Sequence, residues 1–162
     1  MKSDPVKVLF VCLGNICRSP TAHGVFRQLV QDSAQQHNII IDSAGTGDWH
    51  VGHPPDRRAG KAALARGYDL SDLRARQVCF EDFEEYDYIL AMDNNNLREL
   101  QAMRPRQFKG NLQLFLEFAN NFSEREVPDP YYGGEQGFEH VLDLVEDASR
   151  GLLAQINNTH EM

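Results

Sequence analysis

Val6-Lys7-Val8-Leu9-Phe10-Val11 is apolar on both faces of an extended chain except at Lys7. A strand of that kind must be covered on both sides, which is the situation of a central strand in a parallel α/β sheet rather than of a half-exposed hairpin. The residues after it strengthen the reading. Cys12-Leu13-Gly14-Asn15-Ile16-Cys17-Arg18-Ser19-Pro20 comes next, and then Ala22, Val25, Phe26, Leu29 and Val30 recur at helical spacing. The chain therefore opens as strand, tight loop and amphipathic helix, the helix running from Ser19 to about Gln35 with Pro20 in its first turn.

The alternation continues downstream. Ile39-Ile40-Ile41 predicts a second strand leading into Asp42-Ser43-Ala44-Gly45, and Pro54-Pro55-Asp56 opens a helix through Arg66 that Gly67 stops. Tyr86 to Ala91 predicts a third strand, Asn94 to Met103 a helix halted before Pro105, and Leu112 to Leu116 the weakest strand. Phe138, Val141, Leu142, Val145, Leu152 and Ile156 mark a long closing helix. No linker-like or repetitive segment interrupts the series, so residues 1–162 are expected to form one domain. Strands separated by helices imply a parallel sheet with right-handed crossovers. Ligands of such sheets bind beyond the carboxyl ends of the strands, where Cys12, Ser43 and Asp93 fall.

The loop carries chemistry as well as topology. Five residues between Cys12 and Arg18 let the backbone curl so that successive N–H groups converge on one anion at the start of a helix. Gly14 and Asn15 best tolerate the left-handed backbone that such a curl requires. Arg18 offers a planar fork to two phosphoryl oxygens, and the same positive field favours a thiolate at Cys12, thiols in such places falling from roughly 8.5 toward roughly 3.5–7.5. Ser19 can donate its hydroxyl to that sulfur. The competing reading is a buried cysteine that ends a strand, followed by an ordinary loop.

A thiolate attacking phosphorus needs a partner to protonate the leaving oxygen. Asp129, between Pro128 and Pro130 and followed by Tyr131 and Tyr132, suits that task because the prolines stiffen its loop and the two rings can wall a slot for a flat aromatic group. Read structurally, Asp-Pro is also a plain turn.

Composition narrows the classes. A net charge of -8 without a broad basic stripe argues against a nucleic-acid partner. Hydrophobic residues at 41% and charged residues at 25% are globular values and speak against membrane insertion or disorder. The amino-terminal apolar stretch is broken by Lys7 and ends in the loop, which does not suit a signal sequence, so a cytoplasmic protein is expected. Three cysteines do not make a disulfide framework. His50 and His53 lack a suitably spaced third ligand, and no metal site is expected. His23, His37, His140 and His160 read as surface residues, Cys79 as packed beside Phe80, and Glu81 to Glu85 as a solvated helix start.

C-L-G-N-I-C-R-S-P near the amino terminus and D-P-Y-Y near the carboxyl terminus resemble the low-molecular-weight protein tyrosine phosphatases. Asp42-Ser43-Ala44-Gly45, Asp48-Trp49, Pro54-Pro55-Asp56, Met92-Asp93 and Asn96-Leu97 agree, and the likeness covers essentially the whole chain. The resemblance implies an α/β fold with a four-stranded parallel sheet flanked by helices on both faces, and no metal or organic cofactor. It implies Cys12 as nucleophile, Arg18 as phosphate clamp and Asp129 as general acid. Leu13, Gly14, Asn15, Ile16, Cys17 and Ser19 would form the phosphate-binding loop, Asn15 and Ser43 would brace it, and Trp49, Tyr131 and Tyr132 would line the pocket mouth. Phosphotyrosine-containing proteins would be the substrates, and inorganic phosphate or related oxyanions would inhibit. Since activity then needs thiolate and carboxylic acid together, an acidic optimum is expected.

One position departs from the pattern. Family members often carry a histidine shortly before an Ala-Arg pair, whereas Leu73-Arg74-Ala75-Arg76 places leucine there. A histidine that helps to pin the loop is then missing. Three rival functions share the scaffold: an arsenate reductase, for which Cys79 alone supplies no shuttle pair; an arginine phosphatase, which typically has threonine where this chain has Ile16; and a redox-sensing phosphate-binding module built on Cys12 and Cys17.

Overall fold

The computed structural model describes residues 4–130 and 134–160. Strands β1 (Val6–Cys12), β2 (Ile39–Gly45), β3 (Tyr88–Ala91) and β4 (Asn111–Leu114) form one sheet in the order β2-β1-β3-β4. Every pairing is parallel. The helices are α1 (Arg18–Asp32), α2 (Arg57–Ala65), the single turn α3 (Asp82–Glu85), α4 (Asn94–Met103) and α5 (Glu135–His160), and a 3₁₀ turn spans Phe115–Phe118.

Period two along β1 divides the core. Val6, Val8 and Phe10 face α1 and α5, where Phe10 meets the Phe26 and Phe115 rings edge-on at 5.8 and 5.0 Å. Leu9 and Val11 face the other way, with Ile89, Ala91, Leu100, Phe83 and Phe108. Both sides of the sheet are therefore covered, as the two-faced apolar run requires. Because β1 has β2 on one side and β3 on the other, the winding reverses at its carboxyl end, and a crevice opens there.

Several boundaries move for identifiable reasons. Helix α1 stops at Asp32, three residues short of Gln35, where Ala34 turns left-handed at φ 56°. Strand β2 runs on to Gly45 because it pairs with β1 as far as Cys12, so Ser43 lies within the strand and not beyond it. Tyr86 caps α3 through its N–H on the Asp82 carbonyl, and β3 starts only at Tyr88. Phe115 and Leu116 leave β4 for the 3₁₀ turn, which buries both. Asp56 caps α2 as expected, accepting from the N–H groups of Arg58 and Ala59, and Gly67 ends it at φ 94°.

Candidate active site

The loop between β1 and α1 closes around the Cys12 sulfur. Asn15 adopts φ 56°, the left-handed residue of the curl, and its N–H points at Cys12 Sγ over 3.3 Å. Ser19 Oγ lies 3.0 Å from the same sulfur and accepts from Asn15 Nδ2 at 2.7 Å. Besides accepting from Asn15, the hydroxyl has one hydrogen to give, with the sulfur at 3.0 Å and the Ala44 carbonyl at 3.5 Å within reach, and the sulfur is nearer. Gly14 is not left-handed, contrary to expectation. Its bareness serves close approach instead, since a Cβ there would stand 2.9 Å from the His50 ring. Gly45 has the same duty on a larger scale: a Cβ would come within 2.7 Å of the Leu13 carbonyl oxygen and 3.2 Å of the Asn15 nitrogen. The loop lies directly on the end of β2.

Arg18, only 3% exposed, is fixed from behind. Its Nη1 donates to Asp93 Oδ2 at 2.7 Å and to the Val127 carbonyl at 3.1 Å, while Nη2 is 3.8 Å from Asp129 Oδ2. Burial opposes the charge, but Cys12, Asp93 and Asp129 outweigh it and hold the guanidinium above its ordinary pKa. Asp93 divides its oxygens, Oδ1 capping α4 through the Asn96 N–H at 2.8 Å and Oδ2 holding Arg18. The sequence locates Asp93 at a strand end without giving it this partner; an aspartate directly after a buried strand is the available signal.

Cys12, Arg18 and Asp129 line one pocket with Leu13, Gly14, Ile16, Cys17, Trp49 and His50. Trp49, 67% exposed, stands at its wall as expected. His50 belongs to this wall too, a role its spacing from His53 conceals. The two rings are 5.9 Å apart, and among the described residues no third metal-ligand side chain joins them. Tyr131 and Tyr132 lie outside the described residues. Asn15 and Ser19 are buried behind the pocket and shape it without lining it. Cys17 packs against Ala59 and Phe138, and burial with the nearby Asp56 and Cys12 pushes its thiol up to about 12.

Several supporting residues differ from expectation. Leu73 is buried in the main hydrophobic core and contributes carbon only. The loop is pinned through Arg76 instead, whose N–H donates to Asn15 Oδ1 at 3.0 Å. The Arg76 side chain forks onto Asp82 and reaches Asp42, so Asp82 is a buried member of the acidic run and not a solvated residue. Cys79 is exposed and donates toward Asp82, and Phe80 is exposed beside it. His23 is buried, with Nδ1 3.0 Å from Ser43 Oγ. Ser43 thus contacts α1, where a direct brace on the loop was expected. The place of His23 four residues after Ser19, on the same face of α1, is the sign that it faces inward.

Comparison with known proteins identifies a family for the chain. The family model described as low molecular weight phosphotyrosine protein phosphatase fits residues 7–162. The chain belongs to that family. A Synechocystis relative bearing the family's name is 47% identical over 152 residues, which cover 93% of this chain and 96% of its own. The crystal structure of a protein tyrosine phosphatase from Entamoeba histolytica with Hepes in the active site superposes with a TM-score of 0.92. It is 43% identical over 96% of this chain and 99% of its own. A Drosophila arginine phosphatase shares the family fold at a TM-score of 0.87 and 32% identity, over 93% of this chain and 97% of its own.

Proposed function

We propose that this chain, as one domain, hydrolyses phosphotyrosine in proteins through a phosphocysteine intermediate at Cys12. The observation that carries the reading is the convergence of the Cys12 sulfur, the Arg18 guanidinium and the Asp129 carboxyl on one pocket. Cys12 attacks phosphorus in line, forming the S–P bond as the P–O bond to the tyrosine oxygen breaks. Arg18 takes the charge that gathers on the phosphoryl oxygens. Its Nη1 is already committed to Asp93 and Val127, so the fork does not have to be ordered when substrate enters. Protonated Asp129 delivers its hydrogen to the departing oxygen. As a carboxylate it then removes a proton from the water that cleaves the S–P bond, and inorganic phosphate leaves.

Ser19 and the Asn15 N–H support the sulfur as nucleophile in the first step and as leaving group in the second. A cysteine nucleophile with a free neighbour at Cys17 suits the reducing conditions of the cytoplasm, the compartment proposed here. No helix among the described residues is long and apolar enough to cross a membrane.

Arginine phosphatase activity is the alternative on this scaffold. Ile16 on the pocket wall, where arginine phosphatases of this scaffold typically carry threonine, favours phosphotyrosine, since an apolar side chain suits an aromatic ring better than a charged guanidinium. Peptides of equal sequence carrying phosphotyrosine, phosphoserine or phosphoarginine separate the readings. Fast release of phosphate from phosphotyrosine alone is expected, and preference for phosphoarginine would overturn the assignment.

A further inference from the structure

We infer that His23 is a positioning residue for this active site, acting through Ser43 to hold α1 in register with β2 and so keep the Ser19 hydroxyl on the Cys12 sulfur. The inference rests on the proposed role of Cys12 as nucleophile. Its starting point is a cost: His23 is 7% exposed, buried in a turn of α1 whose neighbours Ala22, Val25 and Phe26 are core residues. A buried polar ring is unfavourable unless it is hydrogen-bonded, and a leucine would fill such a place more cheaply.

What the ring contacts explains its presence. Nδ1 is 3.0 Å from Ser43 Oγ. His23 lies four residues beyond Ser19, so the two share one face of α1. Ser19 Oγ is 3.5 Å from the Ala44 carbonyl. One helix face therefore makes polar contacts with two consecutive residues of β2, and those residues pair with Phe10 and Val11 immediately before Cys12. A turn later Arg27 forks onto Asp72 with two contacts of 2.9 Å and reaches the Asp69 carbonyl, which anchors the far end of the same face.

The register matters because Ser19 has three partners within reach: Asn15 Nδ2, Cys12 Sγ and the Ala44 carbonyl. Sliding α1 toward Ala44 would take the hydroxyl from the sulfur. Burial lowers the His23 pKa to about 4, against Asp42 and with Arg27, so the ring stays neutral above that pH and serves as a directional hydrogen-bonding group. One ring nitrogen then carries a hydrogen and the other accepts, and the Ser43 hydroxyl rotates to match.

A double-mutant cycle between His23→Leu and Ser43→Ala tests the coupling on the intact chain with p-nitrophenyl phosphate. Each single change is expected to lower kcat roughly 2- to 12-fold, the kinetic equivalent of one net hydrogen bond, with little change in KM. The double variant should be no slower than the slower single. His23→Asn, whose amide occupies the place of Nδ1, should recover most of kcat, while His23→Gln should not. Alkylation of Cys12 by iodoacetate, read by mass spectrometry, reports on the same sulfur without turnover and should slow in parallel. Wild-type protein that alkylates readily but hydrolyses nothing would sink the phosphatase reading while the His23 coupling could still be measured. Losses that multiply in the double variant, or unchanged kcat in His23→Leu, would overturn the inference. Should His23→Leu fail to fold, the Asn and Gln variants decide, and equal kcat in both would overturn it.

Discussion

The two segments that meet at the pocket are held in opposite ways. Between Cys12 and Ser19 the polar side chains that shape the loop are walled in: Asn15, Arg18 and Ser19 are nearly inaccessible and bonded to the loop, to Asp93 and to the main chain at Val127. The segment from Ala119 to Pro130 has no helix or strand, and the Asp129 side chain at its end is 43% exposed. Remote contacts hold it instead. Asp147, buried in the middle of α5, accepts from the N–H groups of Asn120, Asn121 and Phe122 at 2.9–3.1 Å. Further on, the Val127 N–H bonds the Met92 carbonyl at 2.7 Å. The group that gathers negative charge is thus organised in advance. The group that exchanges protons, first with substrate and then with water, is left open to water. Catalysis of this type needs both conditions, and here two separate stretches of chain meet them.

Replacing Cys12 by Ser removes the nucleophile but leaves the cradle, so turnover should fall by at least roughly 10⁴-fold, as when a nucleophile is deleted elsewhere. Binding of inorganic phosphate by calorimetry should persist. Activity above a few per cent would break the comparison at its rigid end. Asp129→Ala comes next. It should lower kcat/KM for phosphotyrosine by roughly 10²–10⁴-fold and hardly touch kcat/KM for an aryl phosphate whose phenol is strongly acidic, because that ratio reports formation of the intermediate and not its hydrolysis. Equal losses of kcat/KM across a series of substituted phenyl phosphates would mean that Asp129 only shapes its loop.

A smaller effect is expected at the remote anchor. Asp147→Asn weakens three charge-assisted hydrogen bonds and should cost about 1.5–3 kcal/mol of stability in urea unfolding. Burial raises the Asp147 pKa, but the three N–H donors outweigh it and hold the carboxyl below the ordinary carboxylate range. The folded protein therefore releases this proton more readily than the unfolded one. That stabilisation is present at neutral pH and is lost as the pH falls below about 4. If the variant were as stable as the parent, the exposed segment would have some other anchor. The smallest effect belongs to Cys17. With its thiol pushed up to about 12, it should stay unmodified by iodoacetamide at pH 7 in peptide maps. Modification at a rate matching Cys12 would show that the rigid segment opens.

Much of this division is legible in the sequence, because the strand, the loop and the start of α1 are contiguous and locally determined. Cys12, Arg18 and Ser19 lie within eight consecutive residues, and the Asp56 cap and Asn94–Met103 helix come from short-range signals. Partners that come from far along the chain are not legible. Asp93 lies 75 residues from Arg18, and Arg76 lies 61 from Asn15. Nothing in a linear pattern says which buried carboxylate meets which guanidinium. His23 reads as a surface residue because polarity usually marks exposure, and only the crossing of α1 over β2 brings Ser43 to it. Leu73 suggests a loosened loop, whereas Arg76 secures Asn15 from the main chain, which no side-chain motif encodes.

The covalent step at the rigid end can be observed directly. Asp129→Ala should slow hydrolysis of the intermediate while a strongly activated aryl phosphate, which needs no acid, still forms it, so acid-free rapid quenching of this variant favours its accumulation. Mass spectrometry should then find one phosphoryl group on the peptide containing Cys12, sensitive to acid as a thiophosphate ester is, and Cys12→Ser should show none. Phosphate found on any other residue, or turnover by a protein in which Cys12 never carries it, would contradict the account.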